Sequence, residues 1–149
     1  MLMCLPVDGT GQTPAERDSH MTALIQRIKP AVVAVGTHYF NDLPKSRYLG
    51  TGFAISDGRR IVTNYHVIAP LINGKKMSRL RIFHNRFDPK GIPAKLLATD
   101  KFHDLALLEQ SADPLPVIEI SDSTQVKEGV SVAFTGYPLG LVLGLNPTT

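Results

Sequence analysis

From Ala31 onward the apolar residues fall into short runs with a period near two, and this constrains the fold more than any other feature. The runs are "AVVAVGTHYF", "LGTGFAIS", "RIVTN", "LRIFH", "PAKLLATD", "LALLEQ" and "VSVAFTGY". Side chains two apart along a strand share a face, so such runs make half-buried strands rather than helices. Turn formers separate them, at "PLINGKK", "NRFDPKG" and "SADPLP". Between Ile55 and Ile61 the pair Asp57-Gly58 supplies the positive backbone φ that a tight hairpin needs. Many short strands joined by tight turns predict a small antiparallel barrel or sandwich. One helix precedes them. Ser19 is its expected cap, Met21, Leu24, Ile25 and Ile28 share a face, and Pro30 stops it.

The chain has 149 residues, the size of one ordinary domain. A compact chain of this length buries about 68–70% of its unfolded surface, enough for a self-supporting core. With 43% hydrophobic and 19% charged residues, disorder throughout is excluded. A net charge of +3 is too small by itself to imply nucleic acid or an anionic membrane. The basic residues Lys75, Lys76, Arg79, Arg81, Arg86, Lys90 and Lys95 read as solvated surface, since Arg79 and Arg81 alternate with Leu80 and Ile82 along one strand. No aromatic pattern of the RNA-binding kind accompanies them, so no nucleic-acid partner is expected.

Cys4 is the only cysteine, which excludes an internal disulfide and a thiolate zinc site. That suits a reducing compartment, and equally a bacterial exported protein built without bridges. No apolar run approaches the roughly 20 residues that span a bilayer. Residues 1–18, with the polar "PVDGTGQTPAERD", read as a leader or linker. The opening "MLMCLPVDG" lacks a basic start and is too short for a whole export signal, although the tail of a severed one would look like this.

The stretch "IVTNYHVIAP" carries His66 straight after a short apolar run. A packed structural histidine and a general base both fit it. "TDKFHDLALLEQ" places Asp104 at the entry to an apolar strand, where a carboxylate is either solvated or held by a donor. Attack on an amide carbonyl by a serine hydroxyl needs a base with a pKa near neutrality, which imidazole supplies. The base works in one tautomer, with Nδ1–H pinned by a buried carboxylate and Nε2 facing the nucleophile. This chain provides the histidine and then the aspartate, in that order. His103, beside Asp104 but expected on the opposite face, reads as a surface residue or one that supports the site from behind, and Asp100 as a strand end. Tyr65, Leu139 and Leu141 read as packing, and His38 and His84 lack ligand-like spacing to His66, so no metal or other cofactor is expected.

Together, "GTGFAIS", "IVTNYHV", "ATDKFHDLALLE" and "PVIEISDSTQVKEGVSVAFTGYPLG" resemble, in order and spacing, the first barrel of trypsin-like serine peptidases, above all the bacterial Deg/HtrA-type branch. In that family T-N-x-H-V holds the general base, and an Asp followed by alternating aliphatic residues and Ala holds the orienting carboxylate. The resemblance implies that His66 is the base and Asp104 its orienter. Gly50-Thr51-Gly52 matches the family's G-S-G, and Gly136, Pro138 and Gly140 match its G-x-P-x-G. Val67 stands where animal trypsins carry a cysteine.

The implied fold is all-β: a single six- to seven-stranded antiparallel β-barrel, the first half of the chymotrypsin-like double barrel, with a short N-terminal helix. Residues 19–140 would form it, and residues 141–149 would begin the connection to a second barrel. The family's nucleophile sits in a glycine-rich loop of that second barrel, and none of the serines here, from Ser19 to Ser131, lies in such an elbow. Serine endopeptidase activity on protein or peptide substrates is therefore implied for the family, with this chain alone inactive. A non-catalytic pseudopeptidase barrel that binds a protein partner is the alternative, and the face normally covered by the second barrel would favour self-association. The resemblance implies a periplasmic or extracellular location.

Overall fold

The computed structural model describes residues 13–39, 43, 45–84, 88–122, 124, 128, 129 and 132–137. A helix α1, Pro14–Ile28, opens the chain and passes through a short 3-10 turn, Lys29–Ala31, into the first strand. Its cap is Thr13, not Ser19. The Thr13 hydroxyl accepts from the Glu16 backbone N–H, and the Glu16 carboxylate accepts from the Thr13 backbone N–H at 2.7 Å, a complete capping box. Ser19 lies inside the helix, its hydroxyl donating to the Glu16 carbonyl. The last residues of the stretch read as leader thus belong to the helix.

Six strands follow: β1 (Val32–His38), β2 (Ser46–Ile55), β3 (Arg60–Asn64), β4 (Leu80–Phe83), β5 (Ile92–Asp100) and β6 (Leu105–Gln110). They close an antiparallel barrel in the order β1-β2-β3-β6-β5-β4, with β4 returning to β1. The β2–β3 hairpin turns at Asp57-Gly58 as expected, with Gly58 at φ 74° and the Asp57 carboxylate accepting from the Arg59 and Arg60 N–H groups. The barrel expected from the resemblance is the one formed. The run "VSVAFTGY" adds no seventh strand among the described residues. Residues 132–137 form no strand, only an isolated β-bridge at Gly136, and the Tyr137 N–H donates to Thr51 Oγ1 at 2.8 Å.

Two apolar layers explain the run of small and β-branched residues in β1. Val33 and Val35 point into the barrel with Ala54, Ile61, Leu80, Ile82 and Leu108. Val32 and Ala34 point outward against Ile28 of α1, Phe53, Phe83, Ile118 and Tyr137. A strand covered on both faces shows no polar alternation, which is why "AVVAV" reads as one continuous apolar run.

A second helix, α2 (Tyr65–Asn73), leaves β3 and plugs the barrel with Val67, Ile68 and Leu71. Sequence reading placed a break at Pro70 and missed this helix. Proline lacks the N–H that would reach the His66 carbonyl, yet burial of the apolar face on either side holds the helix together. Gly50 lets α2 sit close: a Cβ there would lie 2.5 Å from Val67 Cγ2. Gly50→Ala is expected to destabilise the fold by ~1–3 kcal/mol through overpacking. Adding Val67→Ala should recover part of that loss in urea denaturation, whereas strictly additive costs would place the clash elsewhere.

Candidate active site

The β3–β6 ladder pairs Asn64 with Leu105, so the end of β3 and the start of β6 stand side by side at one barrel rim. His66 follows β3 in the first turn of α2, and Asp104 precedes β6 in the turn from β5. These two residues, 38 apart in the chain, meet. His66 Nδ1 lies 2.6 Å from Asp104 Oδ2, and the His66 backbone N–H donates to Asp104 Oδ1 at 2.9 Å. The Asp104 carboxylate thereby also caps α2, taking a free N–H at the positive end of the helix.

Asn64 completes the cradle, a role that sequence reading missed although the residue stands inside the T-N-x-H-V pattern. Its Nδ2 donates to Asp104 Oδ2 and to the Asp104 carbonyl, both at 3.1 Å. The Tyr65 N–H donates to the same carbonyl at 3.0 Å. The His66 backbone N–H above all, then the His66 ring and the Asn64 amide, hold the Asp104 carboxyl below the usual carboxylate range. An ionised carboxylate only accepts, so His66 Nδ1 carries the proton and Nε2 is left as an acceptor in the neutral ring. The site is more open than the expected buried carboxylate. The side chains of His66 and Asp104 are 69% and 43% exposed.

Other candidates lie elsewhere. His38 Nδ1 pairs with Ser46 Oγ at 2.9 Å, and His84 Nε2 with the Pro30 carbonyl. His103 is on the surface, as expected, and its Nδ1 lies 2.6 Å from Asp100 Oδ2 at the end of β5. The Tyr65 ring carries the Lys101 ammonium 5.3 Å from its centroid. Among the described residues no serine hydrogen-bonds the His66 ring, and no group of three or more His, Cys, Asp or Glu is placed to hold a metal. Gly136 packs on Thr51 of the Gly50-Thr51-Gly52 segment, as two matched stretches in contact should. Pro138, Leu139, Gly140, Leu141, Arg86, Ser123 and Ser131 lie outside the described residues.

A closed antiparallel barrel with a histidine and an aspartate joined at its rim defines the architecture of a trypsin-like N-terminal barrel. Residues 50–145 match the family described as trypsin-like peptidase domain. A Hahella chejuensis protein named a probable periplasmic serine endoprotease DegP-like is 30% identical over 151 residues, covering 80% of this chain and 30% of its own. A Rickettsia conorii protein of the same name is 34% identical over 127 residues, covering 85% of this chain and 23% of its own. The chain thus spans less than a third of these relatives. Two solved structures share the fold: Deg5, with a TM-score of 0.57 at 23% identity over 81% of this chain and 62% of that one, and the HtrA-type protease AlgW with decapeptide, with 0.51 at 20% identity over 75% and 42%. The chain belongs to the trypsin-like serine peptidase family, in its Deg/HtrA-type branch. No helix among the described residues is long and apolar enough to cross a membrane.

Because the Asp104 carboxyl is lowered in the folded state, its contribution to stability is complete above the unfolded carboxyl pKa of about 3.9. It is lost as pH falls through the depressed folded value. Carbon NMR of the labelled carboxyl should show Asp104 titrating below an ordinary aspartate. Asp104→Asn should remove that part of the acid sensitivity, and an Asp104 that titrates like a free side chain would contradict the cradle.

Proposed function

We propose that this chain is the histidine- and aspartate-bearing barrel of a serine endopeptidase acting on protein or peptide substrates. His66 is the general base and Asp104 its orienter. The reading rests above all on the 2.6 Å contact between His66 Nδ1 and Asp104 Oδ2, on an imidazole that is mostly exposed at the barrel rim. In the reaction Nε2 removes the proton of a serine hydroxyl as that oxygen attacks the scissile carbonyl. The resulting imidazolium then protonates the leaving amine. Asp104 stays ionised throughout and stabilises the imidazolium. This proton transfer calls on no metal or organic cofactor.

The serine and the N–H groups that stabilise the oxyanion belong to a second barrel, which docks where the His66 ring is exposed. Residues 19–140 form the first barrel, and residues 141–149 lead toward the second. Without that partner the chain has no turnover. Its relatives' names support a periplasmic location. A second reading, a non-catalytic barrel that captures a protein partner or a second copy, draws on the exposed Phe102, Ile120 and Phe134.

The test is to insert residues 13–140 into the Rickettsia conorii relative in place of its own matching barrel and follow casein hydrolysis. The hybrid should turn over, His66→Ala should abolish this, and Asp104→Asn should lower kcat by roughly 10⁴-fold. A hybrid indifferent to His66→Ala would overturn the assignment. A folded but inactive hybrid would favour the binding module. Hydrolysis by the 149-residue chain alone, lost in His66→Ala, would remove the need for a second barrel.

A further inference from the structure

The turn that carries Asp104 holds a second histidine–aspartate pair, and the catalytic reading gives it no part. Asp100 Oδ1 accepts from the backbone N–H groups of Phe102 at 3.0 Å and His103 at 3.1 Å. Asp100 Oδ2 takes the His103 ring at Nδ1, 2.6 Å away. One carboxylate therefore gathers three donors from the two residues that lead directly into Asp104. The pair is open to water, with His103 and Asp100 side chains 64% and 48% exposed, so it adds little to global stability.

Its place in the backbone matters more. Asp104 sits at φ 54°, the left-handed region that a non-glycine residue enters only at a cost. Asn64 and Tyr65 hold Asp104 from the far side by its carbonyl and, for Asn64, its carboxylate, and on the approach through residues 101–103 the Tyr65 ring meets only the Lys101 ammonium, at 5.3 Å. Within the turn, the Asp104 N–H reaches the Lys101 carbonyl at 3.4 Å, a long bond. The Asp100–Leu105 pair of the β5–β6 ladder closes the two ends of the turn, and inside it the shorter hydrogen bonds are those to the Asp100 carboxylate.

We propose that Asp100 and His103 are positioning residues, whose pairing holds the 101–104 turn in the conformation that presents the Asp104 carboxylate to His66. This rests on the reading of His66 and Asp104 as the catalytic pair. Neither Asp100 nor His103 touches His66; both act through the backbone of Asp104. When the pair is broken the turn samples conformations in which Asp104 leaves the left-handed region, and His66 loses the acceptor that fixes its tautomer.

The test uses the 149-residue chain with nitrogen-labelled histidine, reading water exchange of the His66 Nδ1 proton by NMR. His103→Ala and Asp100→Ala should each speed that exchange on the order of tenfold, the population change expected from releasing one residue held in the left-handed region. His103→Asn should restore slow exchange, because its amide nitrogen can stand where ring Nδ1 stood. Urea midpoints should be unchanged in all three. Wild-type exchange in His103→Ala would overturn the inference and leave the catalytic reading intact. So would a urea midpoint lowered alike in all three variants, which would make the pair plain scaffolding. A missing His66 Nδ1 proton signal in the unsubstituted chain would overturn both. Fast exchange in both alanine variants and slow exchange in His103→Asn, beside an inactive hybrid, would count against the catalytic reading alone.

Discussion

The carboxylate of Asp104 joins the two parts of the molecule that have to be held together for the site to exist. One oxygen takes the backbone N–H of His66 and so fixes the start of α2 against the turn from β5. The other takes the ring of the same histidine and the amide of Asn64. A single side chain therefore sets where α2 begins, which way the imidazole faces and which ring nitrogen carries the proton. Fold and chemistry share this interaction, since a group that anchors both the backbone and the ring of one residue leaves that ring little freedom.

The barrel supplies what Asp104 needs. Antiparallel pairing of β3 with β6 sets Asn64 beside Leu105, so residues distant in the chain start from neighbouring strand ends. α2 fills the end of the barrel, and its approach relies on Gly50, where any larger side chain would meet Val67. On the outside of β1, α1 and the segment around Ile118 and Tyr137 cover a second apolar layer. Burial there pushes the Tyr137 phenol up to about 12 and keeps it neutral. The β3–β6 ladder and the α2 plug anchor the rim on the barrel's inner core, which suits a pair whose contact has to be kept within about half an ångström.

Much of this was legible in the residues. Short apolar runs, alternating or continuous, mark all six strands, Asp57-Gly58 marks the hairpin, and the entry to "LALLEQ" locates Asp104. The meeting of His66 with Asp104 was legible only through the family resemblance, because no local pattern reports a contact across 38 residues. Helix α2 was missed because Pro70 reads as a breaker, while the burial that overrides it is tertiary. The start of α1 carries a local signal, since Thr13-Pro14-Ala15-Glu16 has capping-box spacing. "VSVAFTGY" alternates like a strand, but alternation cannot say how much partner edge is free, and among its described residues only Gly136 finds a β-bridge beside the closed barrel. Asn64 stood inside a quoted motif without a role, since its partner is brought near only by the β3–β6 pairing.

The central claim is that the Asp104 carboxylate sets the tautomer of His66. The most direct measurement is the nitrogen chemical shifts of the His66 ring at a pH where it is neutral. The account predicts protonated Nδ1 and bare Nε2, with the ring reverting toward the Nε2–H form favoured by free imidazole when Asp104 is replaced by Asn. A neutral His66 already in the Nε2–H form in the unsubstituted chain would contradict it.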